Sequence, residues 1–275
     1  MTAIYTKNMA ELKELNHLFI EMTEKNCNQR CRECYIKFPL TKNVKDFISP
    51  DKIKEALIDT KKENLECIYL TGAEPMTHPS FNSILRMCLK RTNVCICTNG
   101  SFINEKKARF LKRVEDESNF EIFIKLPLVH YLEFENDNIR SRGSFRQVIN
   151  AIKCMQKYDF SVIVNICNYY KLSENEIREE FGKLFKERGI EEIDFQITEF
   201  FNSEESEEEI KEFGDLDCKS GRILTSKGVY TCPFLANDYR GRSGNSFKDF
   251  SRTTYLETPF CVTCAKNKDR MFSLN

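Results

Sequence analysis

A chain of 275 residues, 41% of them hydrophobic, has enough apolar side chains for a real core, which excludes an intrinsically disordered class. Lysine plus arginine and aspartate plus glutamate number 42 each, so no net field points to nucleic acid or an anionic membrane as partner. No stretch reaches the roughly eighteen uncharged apolar residues of a membrane span, and MTAIYTKNMAELKEL lacks the apolar core of a signal peptide, so the chain reads as cytoplasmic.

In chain order, β-branched and aromatic runs predict six strands at 17–22, 67–70, 94–97, 121–126, 161–167 and 192–197. Between them, apolar spacings of three and four predict helices at 50–63, 79–91, 104–115, 144–157 and 173–188, the first opened by Ser49 as cap and Pro50. Alternation of this kind implies an α/β fold with a parallel sheet, either open or a partial barrel, whose chemistry sits at the C-terminal strand ends. Six glutamates in NSEESEEEIKEF (202–213) read as a solvated linker or helix face. GRILTSKGVYTCP (221–233) reads as a hairpin turning at Ser226, Lys227 and Gly228. The organisation expected is a core at 14–200 and a small cysteine-rich unit at 211–275, with metal supplying part of the folding energy of the latter.

A reducing compartment turns clustered cysteines among the 13 toward metal or catalysis rather than disulfides. Cys27, Cys31 and Cys34 lie in CNQRCRECY, just after the first predicted strand. Structural zinc takes four protein ligands, whereas a 4Fe–4S cluster can be held by three thiolates with one iron left for another ligand.

The spacing CxxxCxxC, followed by YLTGAEP (69–75) after the second strand and TNG (98–100) after the third, resembles the radical S-adenosylmethionine (SAM) enzymes. The resemblance covers most of the chain and implies a partial (β/α)6 barrel. Cys27, Cys31 and Cys34 would hold a catalytic 4Fe–4S cluster whose unique iron chelates the methionine part of SAM, and one electron would convert SAM to a 5'-deoxyadenosyl radical that abstracts hydrogen. It further implies that Gly72, Ala73 and Glu74 lie along SAM, Glu74 accepting from its ammonium, that Asn99 is a ligand contact, and that Arg140, with Arg142 as the alternative, meets its carboxylate. Two positions depart from the family: Glu33 and Tyr35 flank the third cysteine where an aromatic or histidine often precedes it, and Lys125 replaces a ribose-contacting serine.

Cys218, Cys232, Cys261 and Cys264 form a second set, and four thiolates suit either zinc or a closed 4Fe–4S cluster. Their arrangement resembles the twitch module, a reduced SPASM domain, which implies an auxiliary 4Fe–4S cluster in electron transfer. The remaining Cys67, Cys88, Cys95, Cys97, Cys154 and Cys167 read as small core residues. His78 reads as a cap or loop residue, His17 begins a strand, and His130 lies in the loop before Arg140. The reading is thus a radical SAM enzyme oxidising a peptide or small molecule. Its electron donor would resemble flavodoxin or ferredoxin, and a separate peptide-binding partner is allowed because little chain precedes the first strand. A zinc-binding interaction protein and an inactive radical SAM-like binding module are the alternatives.

Overall fold

The structure is a computed structural model that describes residues 9–34, 36, 46–190, 193–200, 218, 221–255 and 258–267. Strand β1 (Met9–Glu11) precedes the first predicted strand, β2 (His17–Glu21), and helix α1 (Pro50–Asp59) follows the cysteine loop. The Ser49 hydroxyl accepts from Asp51 N at 3.2 Å, the predicted cap. The helix stops short of 63 because Thr60 turns its hydroxyl onto Ala56 O at 2.8 Å and takes the C-cap.

The order continues through β3 (Cys67–Thr71), α2 (Phe81–Leu89), β4 (Asn93–Cys97), α3 (Glu105–Asp116), β5 (Ile122–Leu128), α4 (Glu133–Ile139), α5 (Ser144–Gln156), β6 (Ser161–Asn168), α6 (Glu174–Glu187) and β7 (Phe195–Glu199). A 3₁₀ turn at Pro75–Thr77 precedes α2, so that helix starts two residues later than expected. The chain closes with β8 (Gly221–Thr225), β9 (Gly228–Tyr230), β10 (Arg242–Gly244), β11 (Thr253–Tyr255) and α7 (Pro259–Asn267).

Nine strands form one sheet in the order β10-β9-β8-β2-β3-β4-β5-β6-β7, and β1 pairs separately with β11. Strands β2 to β7 are all mutually parallel, the α/β arrangement expected. Alternation with period two splits the sheet into two faces. Leu18 and Ile20, Ile68 and Leu70, Val94 and Ile96, and Ile122, Ile124 and Leu126 join the helices in one large core. Phe19, Cys67, Tyr69, Cys95, Ile223 and Tyr230 form a smaller buried cluster on the opposite face. Each fully buried Leu or Ile of the large core contributes about 1.5–3 kcal/mol.

The hairpin forms as predicted, but β8 pairs in parallel with β2, His17 opposite Gly221 through Ile20 opposite Leu224. It therefore extends the sheet and covers the backbone edge β2 would otherwise expose. Gly228 is required by close approach of the next strand, since a Cβ there would lie 2.5 Å from Gly244 O. Tyr35, the linker at 202–213 and the start of the sixth predicted strand at 192 lie outside the described residues.

Candidate active site

The loops after β2, β3 and β4 meet at the C-terminal rim of the sheet. Ala73 N donates to Thr23 O at 2.9 Å and Glu74 N to Asn26 O at 3.0 Å, lacing the TGAEP loop to the start of the cysteine loop. Gly72 has φ +113°, and a Cβ there would stand 2.4 Å from Thr23 O. The close approach this glycine permits is therefore to backbone within the protein.

Cys27, Cys31 and Cys34 are half-buried. The Cys27 sulfur accepts from Gln29 N at 3.3 Å and from Asn99 Nδ2 at 3.6 Å. Farther along the loop, Arg30 N donates to Ser141 Oγ at 3.0 Å, Arg32 N to Ile139 O at 2.7 Å and Gln29 Nε2 to Gln147 Oε1 at 3.0 Å. The end of α4, the α4–α5 connection and α5 thus clamp the loop from below. Burial raises all three thiols, Cys31 to about 12 and Cys34 to about 11, and the neighbouring thiols add to the rise at both. The three sulfurs therefore share one electrostatic neighbourhood.

Glu74 is wholly buried, and three protein donors hold its carboxylate. Oε1 accepts from Met76 N at 3.0 Å and Thr98 Oγ1 at 2.8 Å, and Oε2 accepts from Asn99 N at 2.8 Å. Burial raises its pKa against those hydrogen bonds. Its visible work is to fix the β3 and β4 loops relative to each other and so to aim Asn99, whose amide donates to both Cys27 Sγ and Asn28 Oδ1.

Arg140 caps α4 and reaches the cysteine loop, where Nη1 meets Glu33 Oε1 at 3.1 Å, each side chain 9% exposed. Burial raises Glu33, with the Arg140 charge opposing. Arg142 instead lines a surface cleft with Glu133, Phe134 and Arg146, away from the cysteines.

Below the rim, the opposite face carries Lys125, which the sequence set apart as a departure, and Cys97 and Cys167, which sequence reasoning left in the core. Lys125 Nζ donates to Gln196 Oε1 at 2.8 Å, and Asn165 Nδ2 to Thr198 Oγ1 at 3.2 Å. Cys97 is half-buried on this face, held below the usual thiol range by its hydrogen bond with Cys95 and by the nearby Lys125 ammonium. Cys167 senses the charges of Glu33 and Arg140. Cys97 and Cys167 therefore border the site, whereas Cys88 is pure core. The signal available was strand parity, because Cys95, Cys97 and Lys125 share the face opposite the apolar residues. His78 caps as expected, its ring accepting from Ser80 N at 3.0 Å and contacting Ile48 O at 2.8 Å. His130 accepts from Leu132 N and packs on Tyr170, a local role.

The second cysteine set also converges. Cys218, Cys261 and Cys264 share a cluster with Ala10 of β1, and the thiol of Cys232, raised chiefly by burial, is raised further by the other three. Cys261 and Cys264 lie three residues apart on α7, one face of one turn. Arg222, fully buried, donates to Cys218 O at 3.2 Å and to Arg252 O at 2.7 Å.

A family model described as the Radical SAM superfamily matches residues 24–183, more than half of the chain. The GTP 3',8-cyclase of Aquifex aeolicus (strain VF5) is 26% identical over 188 residues, 65% of this chain and 55% of that protein, so the chain spans about half the length of this curated relative. Among solved structures, a histidine-tagged anSMEcpe with bound AdoMet matches at a TM-score of 0.62 and 16% identity, covering 86% of this chain and 78% of its own, a likeness of fold. BtrN in complex with AdoMet and 2-DOIA matches at 0.48 and 16% identity, covering 85% and 79%. The CxxxCxxC loop, the rim that receives it and the family match lead to one assignment: the chain belongs to the radical SAM superfamily of enzymes, a family that implies a 4Fe–4S cluster and SAM.

Proposed function

We propose that Cys27, Cys31 and Cys34 hold the catalytic 4Fe–4S cluster and that the enzyme performs a net oxidation of a peptide or small molecule. The observation that carries the first part is the convergence of three thiols beside Asn99 and Arg140 on the strand-end rim. The residues fit the group: three half-buried thiols, each raised chiefly by burial, release protons readily only when a cationic centre binds them. The chemistry supplied by the bound cluster and SAM is one-electron cleavage to an organic radical that abstracts hydrogen.

The chain's own residues orient and shield. Asn99 donates to the Cys27 sulfur, a contact of the kind that tunes cluster potentials. Glu74 holds Asn99 in place. Phe19, Tyr69, Ile223 and Tyr230 make this face apolar enough to exclude water, while Lys125, Gln196, Asn165 and Thr198 supply polar positions along β5 to β7 for a substrate. Cys218, Cys232, Cys261 and Cys264 leave no place for an outside ligand if they close on an auxiliary 4Fe–4S cluster, which suits electron transfer and hence oxidation. The activity named for the cyclase is not carried over, because only about half of that protein is matched. A flavodoxin- or ferredoxin-like donor and, for a peptide substrate, a separate binding partner complete the reading. Anaerobically reconstituted protein, reduced with dithionite and given SAM, is expected to release 5'-deoxyadenosine; no release with iron fully loaded contradicts it.

A further inference from the structure

Helix α4 and its connection to α5 hold the cysteine loop from outside, and the charges they present to solvent are uneven. All three acids of α4 are engaged within the protein: Glu133 by Arg146 at 2.7 Å, Glu135 by the Tyr170 hydroxyl at 2.9 Å, and Asp137 by the N–H groups of Gly143 and Phe145. Glu33, the acid between Cys31 and Cys34, is engaged by Arg140. Arg32 and Arg142 are instead exposed, and among the described residues neither guanidinium has a hydrogen-bond or ion-pair partner. Two large apolar side chains open to solvent accompany them, Leu132 at 53% and Phe134 at 78%, and Phe134 lines one cleft with Arg142 and Arg146. An exposed aromatic flanked by arginines has the composition of a protein interface, whereas on ordinary surface large apolar groups stand singly.

The place of this surface in the fold indicates the partner. Arg32 N donates to Ile139 O at 2.7 Å and Arg30 N to Ser141 Oγ at 3.0 Å, which ties the surface to the stretch carrying Cys31 and Cys34. A protein seated on Arg32 rests on the loop that bears the sulfurs, and one-electron transfer between proteins falls off steeply with distance. We propose that Arg32, Arg142 and Phe134 form the docking surface for an acidic one-electron carrier protein, the arginines receiving its carboxylates and Phe134 its apolar centre. The assignment rests on the catalytic reading above and says where the electron enters. Electron-transfer encounters are small and brief, so a few anchors suffice, and attraction between opposite charges raises the rate of association. Nucleic acid suits the surface less, because basic and acidic residues number 42 each and give the chain no extended positive field.

Two measurements on the iron-loaded protein test this together: flavodoxin binding by titration calorimetry, and 5'-deoxyadenosine release from SAM driven by dithionite, which needs no docking. Arg32→Glu with Arg142→Glu is expected to weaken flavodoxin binding by about 10- to 100-fold at low salt, the difference shrinking as salt rises, while release with dithionite stays within about twofold. Lys61→Glu with Lys62→Glu makes the same change of charge at exposed positions just beyond α1, and is expected to alter flavodoxin binding by less than about twofold. Equal weakening by the two pairs, or none by either, overturns the docking surface. So does wild-type protein that releases 5'-deoxyadenosine with dithionite yet binds no flavodoxin, a result that leaves the SAM reading standing. No release with dithionite from the wild type overturns the SAM reading and the docking surface with it. If the arginine pair does not retain iron, Arg142→Glu alone, outside the cysteine loop, is read in its place against the same outcomes.

Discussion

Cys27, Cys31 and Cys34 stand among polar groups: the Asn99 amide donates to the Cys27 sulfur, and Glu33 Oε2 and Arg140 Nε, both buried, have no hydrogen-bond partner among the described residues. Cys218, Cys261 and Cys264 share an apolar cluster with Ala10, and Arg222 turns its terminal nitrogens onto the backbone carbonyls of Cys218, Gly221 and Arg252, its buried Nε having no partner among the described residues. The first set has three thiols and a polar rim, the second four thiols and a more apolar wall. On the proposed assignment, this difference in surroundings, rather than in cysteine chemistry, separates a site open to a ligand from one closed by protein.

The comparison breaks most completely at the open site. Cys27→Ala is expected to abolish 5'-deoxyadenosine release and remove about four irons per chain, checked by chromatography and iron analysis. At the closed site the effect is partial: Cys261→Ala with Cys264→Ala is expected to lower iron from about eight to about four while SAM cleavage continues without product. Unchanged iron there removes the auxiliary cluster. Gly72→Ala tests the scaffold under the open site, because its Cβ meets Thr23 O at 2.4 Å with φ +113°. A loss of about 2–4 kcal/mol in denaturant unfolding is expected, combining backbone strain and overpacking.

The smallest effect concerns Glu21, at the end of β2, which accepts from Asn237 Nδ2 at 2.8 Å and is pushed up to about 7 by burial. Its proton is held more tightly in the folded than in the unfolded chain, where the value is 4.5. Its contribution is therefore fully present below pH 4.5 and lost as pH rises through 7, about 3 kcal/mol over that window. Glu21→Gln is expected to flatten this fall in unfolding titrations, and an unaltered slope refutes it.

The open site was more legible in the sequence than the closed one, for physical reasons. CNQRCRECY, TGAEP and TNG each follow a strand whose apolar run declares itself locally, so their convergence follows from parallel topology. The four later cysteines could be grouped by spacing, but β1 pairing with β11 joins chain ends through three-residue strands that carry no periodic signal. Helix α4, EFENDNI, is seven residues long and too short and acidic for its apolar spacing to register. The Glu33–Arg140 pair spans 107 residues, and β8 finds β2 across all the intervening strands and helices. Such partnerships arise from tertiary packing and leave no mark on local pattern. Lys125 and Cys97 were visible as departures or as core, but their common face emerges only once β4 and β5 are placed side by side.

The most direct test of an open and a closed site in one chain is electron paramagnetic resonance of the dithionite-reduced, reconstituted protein with and without SAM. The account predicts signals from two 4Fe–4S clusters, of which SAM shifts one, and that shifted signal persists in the protein with Cys261 and Cys264 replaced by alanine. A spectrum indifferent to SAM, or a shift that vanishes with Cys261 and Cys264 while iron remains on Cys27, Cys31 and Cys34, contradicts it.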